Sequence, residues 1–244
     1  MGGGIKEFDI ATTEKKLVIQ ELENMSDPET GRILTGSWVW DSSVLLSDWM
    51  ATSQRQNDEF DLQGKTVLEL GAGMGIPGMT AAVLGAFHVV LTDVKSLIRG
   101  LQNNVDINSL GDRVKVGELV WGSEDSWSSL VRNIPELAHR IDLVLMSDVF
   151  YDITNMPELG RTLRWIVKGD LQTRVWCATE IRQWTSQCLY ELMKEGFNVI
   201  ELPNRQLNSP PSIISACSSL MGGDCDENQP SFAVFQIIPR LDDV

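Results

Sequence analysis

The sequence predicts a doubly wound α/β fold: a mostly parallel seven-stranded sheet with helices on both faces, an antiparallel edge strand, and an N-terminal extension over residues 1–36. Three observations predict it. From about residue 65 onward, short β-rich apolar runs alternate with stretches of helical periodicity, the order that lays strands side by side and sends helices across their faces. The first run breaks directly into a glycine-rich turn, VLELGAGMGIPG, over residues 67–78. The last two strand patterns are separated by a long segment with no helix pattern, so they are expected to pair antiparallel at one edge.

The elements follow in order. KTVLEL (65–70) is a continuous apolar run, as a strand buried on both faces requires, and Ile76, Met79 and Val83 then recur on one helical face. Pro77 suits the first turn of that helix, where a missing amide proton costs nothing. FHVVLTD (87–93) is the second strand, followed by Leu97, Leu101 and Val105 at helical spacing. RVKVGELVW (113–121) alternates as a third strand. IDLVLMSD (141–148) is the fourth, with Met156, Leu159, Leu163 and Ile166 marking the helix behind it. TRVWCAT (173–179) is the fifth, residues 188–194 form another helix, and FNVIEL (197–202) and SFAVFQII (231–238) close the sheet. Residues 203–230, with NSPPS and GGDCDENQP, are too long for an ordinary connection; they read as a surface insertion or a substrate-facing loop. No internal repeat or linker divides residues 37–244, which read as one domain.

A chain of 244 residues suits a single large α/β unit, and 43% hydrophobic with 22% charged residues is enough apolar material for one core. The net charge is -14 with no offsetting basic run. Phosphate backbones would be repelled, which argues against a nucleic-acid partner; a basic protein partner suits the charge, and so does acidity that serves only solubility. Cys177, Cys188, Cys217 and Cys225 are scattered without a CxxC pair, so reduced thiols are expected. No run approaches the roughly 20 apolar residues of a membrane span, and the first residues lack the apolar core of a signal peptide. MGGGIK carries Lys6 where a myristoylation signal wants Ser or Thr. A cytoplasmic or nuclear monomer is expected. His88 and His139 have no partners at metal-ligand spacing, so no metal is expected.

Glycines at 71, 73, 75 and 78 bring bare backbone to the carboxyl end of a buried strand, the place where open α/β sheets admit a nucleoside-bearing ligand. The GxGxxG of Gly73, Gly75 and Gly78 would serve a nicotinamide dehydrogenase equally well. Glu69 shifts the balance, because a carboxylate two residues before the first glycine opposes a pyrophosphate but suits a ligand carrying a sulfonium and an ammonium. Asp93, at the end of the second strand, is placed to accept hydrogen bonds from ribose hydroxyls in either class.

With the glycine turn stand LTD, LQNNVDIN, LVWG, SDVFYD and GSWVWDSS. In order and spacing these resemble the seven-strand S-adenosylmethionine-dependent methyltransferases, and within them the methyltransferase-like 21 branch of family 16, whose characterised members are mostly protein lysine methyltransferases. The resemblance runs from about Leu17 to Arg240. It implies a class I methyltransferase domain over residues 37–244, S-adenosyl-L-methionine as methyl donor with S-adenosyl-L-homocysteine as product, and a protein substrate presenting a lysine. It implies that Gly71, Ala72, Gly73 and Ser147 line the cofactor together with Glu69 and Asp93, that Trp40 caps it, and that Trp121 lies against the adenine. Asp148 and Tyr151 match the family's DxxY motif, where Asp148 is expected to orient the target amine and Tyr151 to line its channel.

Each assignment has a plainer rival. Trp40 and Trp121 could be core residues, Asp148 a helix cap and Tyr151 a packed aromatic. Asn104 and Asn108 fit the family's asparagine pair or merely face solvent or satisfy loop backbone. Glu180 and Arg182 match an acid-x-Arg position, to shape the acceptor channel or to form a surface ion pair. DVFY lacks the prolines usual where adenine amino groups of nucleic acid are methylated. Methylation of a small molecule or of another protein side chain, and a non-catalytic cofactor-binding module, are the competing functions.

Overall fold

The computed structural model describes residues 4–23, 25–27, 31–53, 61–167, 172–202 and 230–240. Its elements are β1 (Ile5–Asp9), β2 (Lys16–Gln20), α1 (Asp41–Ser53), β3 (Thr66–Leu70), α2 (Ile76–Val83), β4 (His88–Asp93), α3 (Lys95–Ile107), β5 (Val114–Glu118), α4 (Glu124–Asn133), β6 (Leu143–Ser147), α5 (Met156–Val167), β7 (Arg174–Glu180), α6 (Thr185–Lys194), β8 (Phe197–Leu202) and β9 (Phe232–Pro239). Residues 203–229 of the expected insertion, with Cys217 and Cys225, lie outside the described residues.

Seven strands form one sheet in the order β5-β4-β3-β6-β7-β9-β8. Neighbours are parallel from β5 through β7, while β9 runs antiparallel to both β7 and β8. All seven strands read from the sequence are present. Because side chains alternate across a strand, Leu68, Leu70, Val90, Val144 and Met146 pack on one face against α4, α5 and α6. Val67, Val89, Leu91, Leu143 and Leu145 pack on the other against α1, α2 and α3. The same alternation turns Glu69 to the α2 side. The strand order reverses between β3 and β6, which leaves a crevice at their carboxyl ends.

Residues 5–20 form a hairpin that periodicity does not announce. Leu17 and Ile19 are buried in the α2–α3 face of the core, and the outer backbone edge of β2 meets α3. There Asn104 accepts from Gln20 N–H at 2.9 Å and donates to Gln20 C=O at 3.3 Å, while Asn108 accepts from Val18 N–H at 2.8 Å and donates to Val18 C=O at 2.7 Å. Four residues along a helix rise about 6 Å and two along a strand about 7 Å, so the two amides match the repeat of a neighbouring strand. The pair thus satisfies backbone, that of strand β2 instead of the expected loop.

Candidate active site

The site is built on the strand tips. Beyond β3 the chain turns through left-handed backbone at Gly71 (φ 63) and Gly73 (φ 52), a region that side chains rarely adopt. Asp93, at the tip of β4, holds the turn: its Oδ2 accepts from Gly73 N–H at 2.8 Å and its Oδ1 from Val94 N–H at 2.7 Å. Burial pushes the pKa of Asp93 up, and those two amides oppose the shift. A second requirement at Gly73 comes from the N-terminal segment. A Cβ there would lie 3.0 Å from Gly36 O, in the 3-10 turn Thr35–Ser37. Gly36, quoted in GSWVWDSS but assigned no role, is where that segment meets the glycine turn.

Glu69 is completely buried beneath the first turn of α2. Its Oε2 accepts from Gly78 N–H at 2.9 Å, and its Oε1 has no hydrogen-bond partner among the described residues. Burial first, and the nearby Asp93 second, push its pKa up to about 8 against the pull of the Gly78 amide. Gly78 is a steric requirement: a Cβ would overlap Leu91 Cδ2 and come within 2.7 Å of Glu69 Oε2. Gly75 serves close packing in the same way, since a Cβ there would lie 2.6 Å from Leu101 Cδ1.

Trp121, in the loop after β5, covers Gly71; a Cβ there would lie 3.1 Å from Trp121 Cζ2 and 3.3 Å from Val149 Cγ1. Ala72 is buried and its N–H donates to Thr92 C=O at 2.9 Å. Ser147 ends β6 opposite Ala178 of β7. Trp40, 37% exposed, donates through Nε1 to Thr35 C=O at 2.9 Å, which ties it to the segment resting on Gly73.

Asp148 follows β6 in left-handed backbone (φ 54), a conformation that Asp tolerates better than most residues. Its N–H donates to Ala178 C=O at 2.9 Å. Its carboxylate forms a bidentate pair with Arg182, at 2.7 and 3.0 Å, and Arg182 also donates to Glu180 at 2.6 Å. The Arg182 guanidinium lies 5.7 Å from the centroid of the Trp40 ring. Tyr151 is half exposed, and burial, then the charges of Asp93 and Asp152, push its phenol pKa up.

Two groups of predicted residues meet. Glu69, Gly71, Ala72, Gly73, Asp93 and Trp121 gather at the tips of β3 to β5, and Ser147, Asp148, Tyr151 and Trp40 at the tips of β6 and β7 with Glu180 and Arg182. Val149 against Gly71, and the Trp40 segment against Gly73, join them. Asn104 stands behind the turn, donating to Met74 C=O at 3.3 Å. Cys177 and Cys188 are buried, and burial pushes both thiol pKa values up, away from the reactive thiolate. Among the described residues no group of three His, Cys, Asp or Glu could hold a metal, and no helix is long and apolar enough to cross a membrane. The left-handed glycine turn, the Asp93 carboxylate beside it and the buried Glu69 carboxyl beneath α2 fit a nucleoside ligand that carries positive charge.

Residues 16–196 match the family of lysine methyltransferases. The chain belongs to that family. Among lysine methyltransferase relatives, the protein N-lysine methyltransferase METTL21A of Danio rerio is 32% identical over 174 residues, covering 70% of this chain and 72% of its own. The protein N-terminal and lysine N-methyltransferase EFM7 of Gibberella zeae is 30% identical over 190 residues, covering 70% of this chain and 69% of its own. The crystal structure of a SAM-dependent methyltransferase from Agrobacterium tumefaciens shares the fold, with a TM-score of 0.52, 13% identity, and coverage of 98% of this chain and 71% of that one.

Proposed function

We propose that the crevice binds S-adenosyl-L-methionine and that the protein transfers its methyl group to the side-chain nitrogen of a lysine in a protein substrate. The observation that carries this reading is the meeting of three acids at neighbouring strand tips, Glu69 on β3, Asp93 on β4 and Asp148 after β6, around one glycine turn. In this reading Asp93 holds the ribose hydroxyls, Gly71 to Gly73 and Ser147 line the nucleoside, Trp121 covers the adenine and Trp40 caps the site. Glu69, its pKa raised to about 8 by burial in the free protein, ionises as the donor's positive charge arrives and then supplies negative charge from beneath.

When bound, the donor supplies a methyl carbon on a positively charged sulfur; the N–C bond forms as the C–S bond breaks, and the bonding pair stays on sulfur to leave S-adenosyl-L-homocysteine. The chain aligns, desolvates and deprotonates the acceptor. A lysine ammonium has no lone pair until it loses a proton, and its ordinary pKa is near 10.4. Burial in a channel lined by Tyr151 depresses that value. Asp148 orients the resulting amine by accepting its N–H, and the proton leaves to water. A carboxylate of ordinary basicity is poorly matched to an ammonium proton, so Asp148 steers the nitrogen without serving as the base. Alignment supplies much of the rate.

An α-amino acceptor is the second reading, supported by the relative named for both N-terminal and lysine methylation. Incubating the protein with labelled S-adenosylmethionine and cell extract, then mapping the labelled band by mass spectrometry, tests both. A methylated lysine side chain is expected. A methylated N-terminus selects the second reading, and label confined to small molecules contradicts both.

A further inference from the structure

Arg182 grips the Asp148 carboxylate by both oxygens. Nη1 donates to Oδ1 at 2.7 Å and Nη2 to Oδ2 at 3.0 Å, a parallel fork that fixes the plane of a carboxylate as well as its place. The arginine is itself held: Nη2 also donates to Glu180 Oε2 at 2.6 Å, the guanidinium faces Trp40, and its backbone N–H donates to Thr185 Oγ at 2.9 Å. On Asp148, Oδ1 also accepts from the Thr179 hydroxyl at 3.3 Å, whereas Oδ2 accepts from Arg182 alone among the described residues. A carboxylate oxygen has two lone-pair directions, so Oδ2 keeps one for a further donor. With the Asp148 side chain only 8% exposed, that direction is narrow.

We propose, resting on the reading that Asp148 faces the acceptor, that Arg182 is a positioning residue for methyl transfer: it aims the free lone pair of Oδ2 at the acceptor N–H, and its fixed positive charge favours release of the acceptor's proton to water. The titratable groups at the Asp148 carboxylate are Arg182 and Glu180, with Tyr151 beyond them and Asp93 and Asp152 acting on the Tyr151 phenol. Within the Asp148–Arg182–Glu180 cluster two carboxylates against one guanidinium leave a single negative charge, which one ammonium balances. Without Arg182, two uncompensated carboxylates would hold that ammonium protonated and unable to attack. The proton departs before the N–C bond forms and the C–S bond breaks, with its electron pair kept by sulfur.

The test compares wild type with Arg182→Gln, Arg182→Lys, Asp148→Asn and the Arg182→Gln/Asp148→Asn double variant. Initial rates of tritium transfer from S-adenosylmethionine to the proteins of a heat-treated extract are read from about pH 7 to about pH 10, the range in which a lysine titrates, and affinity for S-adenosylhomocysteine is measured by calorimetry. Arg182→Gln is expected to lose roughly 100-fold near neutrality and roughly 10-fold or less at the alkaline end. Arg182→Lys should lose less and keep the wild-type pH profile. The double variant should be little slower than Asp148→Asn, because the two residues act as a unit, and affinity for the product nucleoside should stay within a few-fold. A loss constant with pH, losses that multiply, or an unchanged rate overturns the proposal. If Arg182→Gln fails to fold, the pH profile of Arg182→Lys decides, a displaced one overturning it. No label on protein from wild type, or full activity in Asp148→Asn, overturns the underlying reading and this proposal with it.

Discussion

At the scale of single residues the account turns on where buried charge is balanced. Asp93 anchors the Gly73 amide and, in the proposed reading, offers its oxygens to the ribose, so Asp93→Ala is predicted to weaken cofactor binding by roughly 10- to 100-fold, the cost of about one to two charged hydrogen bonds. Calorimetry with S-adenosylhomocysteine measures this, and unchanged affinity contradicts the ribose role. Glu69 gives a pH dependence. Its folded pKa of about 8 lies above the ordinary 4.5, so the folded state holds a proton that the unfolded chain has released. The stability this contributes is full below about pH 4.5 and is lost as pH rises through about 8. Urea titrations of wild type across that window should show the decline, and Glu69→Gln should flatten it. A cation bound above Glu69 favours its ionised form, so affinity for the sulfonium donor should rise with pH more steeply than affinity for the neutral product.

The acids themselves were legible in the sequence, each at the end of an apolar run. Their partners were not. Gly78 N–H reaches Glu69 only once α2 folds back over β3, and Arg182 reaches Asp148 from just beyond β7, thirty-four positions along the chain. Neither pairing leaves a mark at short range. Glu180 and Arg182 appeared equally suited to a surface pair, and the bidentate grip on Asp148 is what places them at the candidate site.

At the scale of elements the least legible piece was the hairpin. In IKEFD every residue is exposed or only half-buried, and in KLVIQ only Leu17 and Ile19 are buried. Asn104 and Asn108, more than eighty residues away, add the hydrogen bonds of an absent strand. Asn104→Ala should therefore cost about 1–3 kcal/mol by leaving buried backbone groups without partners, seen as a lower denaturation midpoint. The hairpin also leads into Glu21, whose Oε1 accepts from Lys6 and from Val39 N–H, each at 2.8 Å, next to Trp40. A cofactor affinity reduced a few-fold in Asn104→Ala would show that this connection reaches the site. The helix after β3, by contrast, was readable from its apolar face and Pro77. Its glycine at 78 answers to Leu91 and Glu69, and Gly78→Ala should cost about 1–3 kcal/mol as overpacking.

At the scale of the molecule, alternating strands and helices were enough to expect seven strands, because strands buried on both faces show as unbroken apolar runs. Strand order was less accessible: β9 lies between β7 and β8, an order that the intervening residues 203–229 do not reveal. The net charge of -14 bears on partner choice. If acidity steers basic substrates, transfer to extract proteins should slow as salt rises through the range in which the screening length shrinks below about 10 Å; a rate indifferent to salt would mean that the charge serves solubility alone. The central claim is more local, that one crevice at the tips of β3, β4 and β6 receives the methyl donor beside an acceptor channel. A crystal structure with S-adenosylhomocysteine bound tests it most directly. The ribose should lie on Asp93, the adenine against Trp121, and the sulfur should point toward Asp148 and Tyr151. A nucleoside bound elsewhere, or a crevice filled by the protein's own side chains, would contradict it.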